Sequence, residues 1–322
     1  MDNTMLARAA GFRILGKSPA GVYLRLNRPM WERLPAGLRK SRPLASYGGF
    51  LHRLVCLHAS RRVFVGTFFL RNRPALELMR RIAERKSGSS ELRIAVLGCS
   101  IGAEVYSILW TLRSALPKLN VRMVASDISE RVLEFAQRGV YDQDTWQFLG
   151  TPSDESIFER LTGAEKQELF DWNAGQGSIK PWLRKGIAWE LGDALDPELV
   201  RRLGPQDMVV ANNFLCHLPR ESAEKCLRNI AGLVKPGGHV FVAGVDVDIR
   251  TKVARELGWM PVPELREEIH DGDPSIRRGW PWAWWGLEPL NKRRKDWELR
   301  YTSVFQLNAA KLAAGRSANA AG

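Results

Sequence analysis

A doubly wound α/β fold around a mostly parallel sheet is what this 322-residue sequence predicts, and three observations predict it. From residue 92 onward, short and strongly apolar stretches alternate with amphipathic helical patterns, which suits a parallel sheet covered on both faces. A glycine loop follows directly on the first of these strands and opens a helix. Acidic or amide residues end the next three strands, where such folds place their ligand contacts.

Taken in order, residues 1 to about 62 mix Arg with Gly and Pro in short apolar pieces, of which "YGGFLHRLVCLHA" is a short helix by its pattern. "RNRPALELMRRIAERK" sets Leu76, Leu78, Met79 and Ile82 on one helical face, beginning near Pro74 and ending at "SGSS". Residues 1–90 therefore read as a small, basic, partly helical region before the main domain, 91–307. In that domain "LRIAVLG" leads to a helix over 103–115, "VRMVASD" to one over 129–138, and "GIAWELGD" to one over 196–203. "DMVVANN" leads to a helix over 220–234 and "HVFVAGV" to one over 249–257, with "WELRYTSVFQL" as a late edge strand. Two stretches break the alternation: a long connection over 142–186 with one helical piece near "ESIFERLTGAEKQELF", and a Trp-rich insertion over 261–297 before the last strand. Residues 308–322, rich in Ala with Ser and Gly, read as a disordered tail.

Composition narrows the class. Apolar residues make up 45% and charged residues 26%, as in ordinary globular proteins. No apolar run approaches the roughly 18 residues of a membrane span, and the Arg-bearing N-terminus lacks a signal-peptide core, so a cytoplasmic location is expected. Cys56, Cys99, Cys216 and Cys226 form no Cys-x-x-Cys pair, which points to reduced thiols and to no zinc site. The net charge of +13 is concentrated early, since residues 1–62 hold 12 Lys and Arg against 2 Asp and Glu. Such a segment suits an acidic partner, be it protein, nucleic acid or membrane surface, or serves as a solvated basic face.

Gly98-Cys99-Ser100-Ile101-Gly102 matches the Gly-x-Ser-x-Gly elbow that presents a nucleophilic serine. That elbow normally follows several earlier strands, whereas "LRIAVLG" is the first here, and no His-Gly-Gly-type loop precedes it, although Ser100, Asp193 and His217 do occur in a permissible order. A cofactor loop fits better. Its glycines let backbone approach a ligand closely, and the free amides of the helix start favour an anionic end. Asp127, 29 residues after Gly98, stands where a ribose acceptor is needed, but no Gly-x-Gly-x-x-Gly string accompanies it, which argues against NAD. Asp193 follows the next strand and Asn212-Asn213 the one after. A glycine loop, a ribose acid and an adenine-facing acid in this order describe the site of a class I S-adenosylmethionine (SAM) methyltransferase, whose sheet has seven strands. "VKPGGHVFVAG" is the turn and strand typical of that fold.

The sequence resembles the CheR-type methyltransferases, which methylate glutamate side chains of bacterial chemoreceptors. "GCSIGAEVYS" is similar to the family's Gly-Cys-Ser-x-Gly-Glu-Glu-Pro-Tyr-Ser, departing at Ala103 and Val105. "ASDISERVLEFAQRGVYD", "VGTFFLRNRPAL" and "LFDWNAGQGSIKPWLRKGIAWELGDALD" resemble further family segments, so that the likeness covers roughly residues 63–245. It implies SAM as cofactor, with Gly98, Ser100, Gly102 and Glu104 along its methionine end, Asp127 on the ribose and Asp193 near the adenine. Cys99, Ile128, Ala194, Asn212 and Asn213, beside these at the same strand ends, are counted in the cofactor site. Arg71, matching the family's Arg, would face the methyl acceptor, with Asn213 and His217 as further catalytic candidates.

Departures bear on the acceptor. The family's Arg-Asn-Val-x-Ile-Tyr-Phe reads Asn212-Asn213-Phe214-Leu215-Cys216-His217-Leu218 here, keeping Asn213 but replacing the Arg and the Tyr. A carboxylate acceptor is already anionic and needs orientation only, which Arg71 would supply. A hydroxyl or amine would want a base, and His217 is the candidate. The expected acceptor is an acidic protein or small carboxylate, foremost a protein glutamate. Nucleic acid is not expected, because "ANNFL" stands where amino-methylating enzymes carry Asn/Asp-Pro-Pro-Tyr/Phe. A SAM-binding regulatory protein without turnover is the reading from another class. Trp280, Trp282, Trp284 and Trp285 either cover the acceptor pocket or pack the insertion down. Asp271, Asp273 and Glu288 point at an amine or cap turns, and no metal site is expected from them.

Overall fold

The computed structural model describes residues 19–39, 41–58, 66–86, 91–145, 156–272, 280–282 and 288–308. Three helices open it: α1 (Pro19–Arg33), α2 (Ala36–Arg39) and α3 (Arg42–His58). Leu24 and Trp31 of α1 pack with Leu51 and Leu54 of α3 in a small core of their own, and Trp280 and Trp282 close over it. Gly48 admits these rings, since a Cβ there would lie 2.5 Å from Trp31 and 2.8 Å from Trp282. The His52 ring joins the carbonyl of Pro281 at 3.1 Å. Residues 280–282 of the Trp-rich insertion thus pack onto the N-terminal helices, while Trp284, Trp285 and Asp273 lie outside the described residues.

The next helix, α4 (Arg73–Arg85), starts where Pro74 predicts: the Asn72 side chain accepts the Ala75 N–H at 3.1 Å, and Leu78, Met79, Ile82 and Ala83 are buried. Then follow β1 (Glu91–Leu97), α5 (Ala103–Ala115), β2 (Asn120–Asp127), α6 (Glu130–Arg138), β3 (Val140–Tyr141), α7 (Gly163–Leu169), β4 (Phe170–Asn173), β5 (Gln176–Ile179), α8 (Pro181–Arg184), β6 (Ile187–Leu191) and α9 (Pro197–Leu203). The chain continues through β7 (Gln206–Val210), α10 (Arg220–Leu233), β8 (Val234–Phe241), α11 (Val247–Glu256), β9 (Met260–Pro261), α12 (Arg266–Asp271), α13 (Trp297–Arg300) and β10 (Val304–Gln306).

The main sheet has seven strands in the order β6-β2-β1-β7-β8-β10-β9. β6, β2, β1, β7 and β8 pair in parallel, and β10 runs antiparallel between β8 and β9. Chain order reverses between β1 and β7, and that is where ligands enter such sheets. Ile94 and Val96 face one apolar layer, with α4 and α5, while Ala95 and Leu97 face the other, with α10 and α11.

Two expectations need correction. "WELRYTSVFQL" is not one strand. Its first part is α13, because the Arg300 guanidinium turns inward onto Asp248 and Glu288, and strand pairing is confined to Val304–Gln306. The long connection after residue 142 holds more than one helical piece, since β3, β5 and β4 form a second, antiparallel sheet. The turn between β4 and β5 places Ala174 at φ 47° and Gly175 at φ 82°. An alanine there hides the turn from a reading that looks for Asn-Gly.

Candidate cofactor and acceptor site

The corner after β1 takes three left-handed residues in five, Gly98 (φ 62°), Ser100 (φ 50°) and Gly102 (φ 84°). At Gly98 a Cβ would lie 2.7 Å from the Phe214 ring, so the close approach to β7's exit loop requires glycine. Ser100 holds its strained conformation because its N–H donates to Asp127 Oδ2 at 2.9 Å. Asp127 Oδ1 accepts the Ser129 N–H at 3.1 Å. Burial pushes the Asp127 carboxyl above its ordinary 3.8, and the N–H groups of Ser100, Ser129 and Ile128 oppose that rise. A carboxylate offers about four acceptor positions. Room therefore remains for a ribose hydroxyl.

Ile128, beside Asp127, is 64% exposed, an apolar surface on the crevice rim that suits the face of a base. At the end of β6, the exposed Asp193 accepts the Leu195 N–H at 2.8 Å, and the Ala194 carbonyl accepts from Asn229. The Gly192 N–H donates to the Asp127 carbonyl at 3.0 Å, tying the tips of β2 and β6 together. Cys99 sits differently. Its side chain is buried in the apolar layer, and burial holds the thiol well above its usual range, so its part is to shape the corner.

Across the switch point, Asn212 Nδ2 donates to Glu104 Oε1 at 2.7 Å, and Asn212 Oδ1 accepts the Ala243 N–H at 2.9 Å. One side chain thus links the exit of β7 to the start of α5 and the exit of β8. Asn213 adopts φ 61° and donates its N–H to the Ala243 carbonyl at 2.9 Å. Asn212, Asn213 and Glu104 line a cavity with Arg71, Phe68 and Ser107, among others. His217 is absent from that lining and stands in the 3-10 turn Leu215–His217.

Arg71 is carried on an irregular segment pinned from several sides. The Leu70 N–H donates to Ser107 Oγ at 2.9 Å, and Ser107 donates to the Ala103 carbonyl at 2.6 Å. The Arg71 carbonyl accepts from Arg160 at 2.8 Å, whose guanidinium lies 4.4 Å from the Phe68 ring centroid. Asn72 Nδ2 donates to the Ile269 carbonyl at 2.9 Å. The positioning roles of Ser107, Asn72 and Arg160 were not assigned from sequence. Only for Ser107 was there a local signal, a serine able to bond back to the carbonyl four residues earlier.

A glycine corner, an acid at the tip of β2 and the strand order β6-β2-β1-β7-β8 with β10 antiparallel define a class I SAM-dependent methyltransferase. The donor set fits that cofactor: a carboxylate with an acceptor position to spare, an exposed apolar neighbour, and the backbone of a helix start at Gly102. A model of the CheR methyltransferase SAM-binding domain matches residues 66–248, and the chain belongs to that family. The hydrolase reading of Ser100 falls with this membership, and the cofactor is SAM.

Among curated relatives, "Chemotaxis protein methyltransferase 2" of Pseudomonas aeruginosa is 28% identical over 242 residues, covering 72% of this chain and 81% of that protein. "Probable biofilm formation methyltransferase WspC" of the same species is 27% identical over 188 residues, covering 57% of this chain and 42% of that one. The chain thus spans less than half the length of WspC. Among solved structures, magnesium protoporphyrin IX methyltransferase from Synechocystis PCC 6803 with bound SAM overlaps at a TM-score of 0.34 and 17% identity, over 58% of this chain and 69% of that one. The fold assignment rests on the strand order, not on that loose overlap. No described helix is long and apolar enough to cross a membrane.

Proposed function

We propose that this chain transfers the SAM methyl group to a carboxylate, that of a glutamate side chain in a protein. The observation that carries this reading is Arg71, the one cationic side chain among the described residues lining the cavity, held there by the bonds of Leu70, Arg71 and Asn72 to Ser107, Arg160 and Ile269. A guanidinium orients a carboxylate by paired, charge-assisted hydrogen bonds. The relatives named chemotaxis protein methyltransferases support it.

SAM supplies a methyl group already activated on a sulfonium. The protein's share is alignment and exclusion of water, for which positioning supplies on the order of 7 to 11 kcal/mol. Asp127, Ile128 and Asp193 hold the adenosyl part, the Gly98–Gly102 corner and Glu104 its methionine end. Asn212 fixes the direction of the Glu104 carboxylate through their shared hydrogen bond. Arg71 turns the acceptor oxygen toward the methyl group, and Asn213 shapes the wall beside it. With an anionic acceptor no base is required, which agrees with a His217 set outside the cavity lining.

Incubation with SAM carrying a labelled methyl group and an extract of cells decides the matter. Protein label released as methanol by mild base is the expected result. Base-stable label, or label in small organic molecules, overturns the carboxylate reading. Arg71→Ala is expected to bind SAM near normally and to lose turnover.

A further inference from the structure

α1 presents two faces of opposite use. Leu24 and Trp31 point into the small N-terminal core, whereas Val22, Leu26 and Met30 are 41, 67 and 67% exposed. Their four-residue spacing aligns them in a row along the outer face of the helix. Tyr23 and, on α2, Leu38 are also exposed. Of the nine large apolar side chains exposed among the described residues, these five fall within residues 22–38. Exposed apolar side chains scattered singly need no explanation, but a contiguous row marks a contact surface.

The row is bordered by two cations, Arg25 and Arg33, while Arg28 lies round the far side of the helix. Arg25, Arg28 and Arg33 are exposed on the same helix, against a single acid, Glu32, which bonds Arg28 at 2.8 Å. The surrounding region, residues 1–62, carries 12 Lys and Arg to 2 Asp and Glu. An apolar row flanked by arginines on a helix braced from behind by α3 has the makings of an interfacial helix.

We propose that α1 docks this chain on an anionic lipid surface, with Val22, Leu26 and Met30 at the acyl boundary and Arg25 and Arg33 among the headgroups. None of these residues belongs to the SAM or acceptor site, so the inference stands apart from the methyl acceptor. Three apolar side chains make a reversible contact that needs the charge term as well. Each arginine near an anionic surface is worth about fivefold in partitioning. Binding is therefore salt-sensitive.

The test is flotation of the full chain with vesicles of phosphatidylcholine alone and of equal parts phosphatidylcholine and phosphatidylglycerol. Flotation with the mixed vesicles only, weakened by salt, is the expected result. Leu26→Ser with Met30→Ser should cut partitioning at least about tenfold, with circular dichroism and SAM affinity unchanged. Arg25→Glu with Arg33→Glu should abolish it. The proposal is overturned if the parent stays lipid-free, if it binds both vesicles alike, or if the L26S/M30S variant floats like the parent. Absence of flotation together with a concentration-dependent dimer that L26S/M30S dissolves would assign the patch to a second copy. Absence of flotation with retention on immobilised polyglutamate would assign it to an acidic protein.

Discussion

The Asp127 carboxylate accepts the Ser100 N–H at 2.9 Å, so the tip of β2 holds the glycine corner of β1 in place. The group that would take a ribose hydroxyl is also the one that keeps the Ser100 backbone at φ 50°. On the proposed role of Asp127, cofactor affinity and corner geometry are coupled.

Asp127→Ala should weaken SAM binding by about 10- to 100-fold, the value of a hydrogen bond to a charged group. Calorimetric titration with SAM checks it; binding like the parent's would remove Asp127 from the cofactor site. Acid should act in the same direction. Because burial raises this carboxyl above its ordinary 3.8, it protonates earlier on acidification than an exposed aspartate does, and SAM affinity should fall at a correspondingly higher pH. For folding the sign is opposite, since a raised carboxyl costs stability as pH climbs through its folded pKa. A pH series of binding and of unfolding separates the two.

Gly98→Ala places a methyl group 2.7 Å from the Phe214 ring at a residue with φ 62°. Strain of this kind costs about 1 to 3 kcal/mol, and relief would require the exit loop of β7 to shift. Denaturant unfolding should show the loss, with a parallel fall in SAM affinity.

Ser107→Ala removes the acceptor for the Leu70 N–H in a buried place. A buried donor left unsatisfied costs about 1 to 3 kcal/mol. Arg71 follows directly in the chain, so turnover should fall more than SAM affinity does. Thr at 107, which restores a hydroxyl, should recover part of that turnover; loss of SAM affinity alone would argue against a positioning role.

His239 in β8 is buried, and burial, with Lys86 and Arg85 nearby, lowers its pKa from 6.5 to about 4. Folded His239 stays neutral while the unfolded chain takes up a proton, so stability is lost as pH falls from 6.5 toward 4. Between pH 7 and pH 5 the cost is about 2 kcal/mol. Urea unfolding at the two pH values checks it, and His239→Asn should flatten the difference.

How much of this was legible in the sequence depends on the range of the interaction. The parallel strands read directly because Ile94, Ala95, Val96 and Leu97 are all buried, giving near-continuous apolar runs. Asp127 and Asn212 read from their places at strand ends. The support of Arg71 did not, since Arg160 and Ser107 lie 89 and 37 residues from the backbone groups they bond, and no periodicity carries such pairings. Cys99 misleads in the other direction: it adjoins the corner in sequence, yet its side chain points into the core. The acidic side of Asn212 was equally hidden, because Glu104 is 108 residues away.

The wedge of Trp282 against Trp31 and of Pro281 against His52 joins segments more than 220 residues apart, 229 for His52 and Pro281. On the ribosome, at roughly 5 to 20 residues per second, α1 to α3 emerge on the order of 10 to 50 s before their cover is made. For that interval the small core of Leu24, Trp31, Leu51 and Leu54 stands without its cover, an apolar surface open to a nascent-chain chaperone.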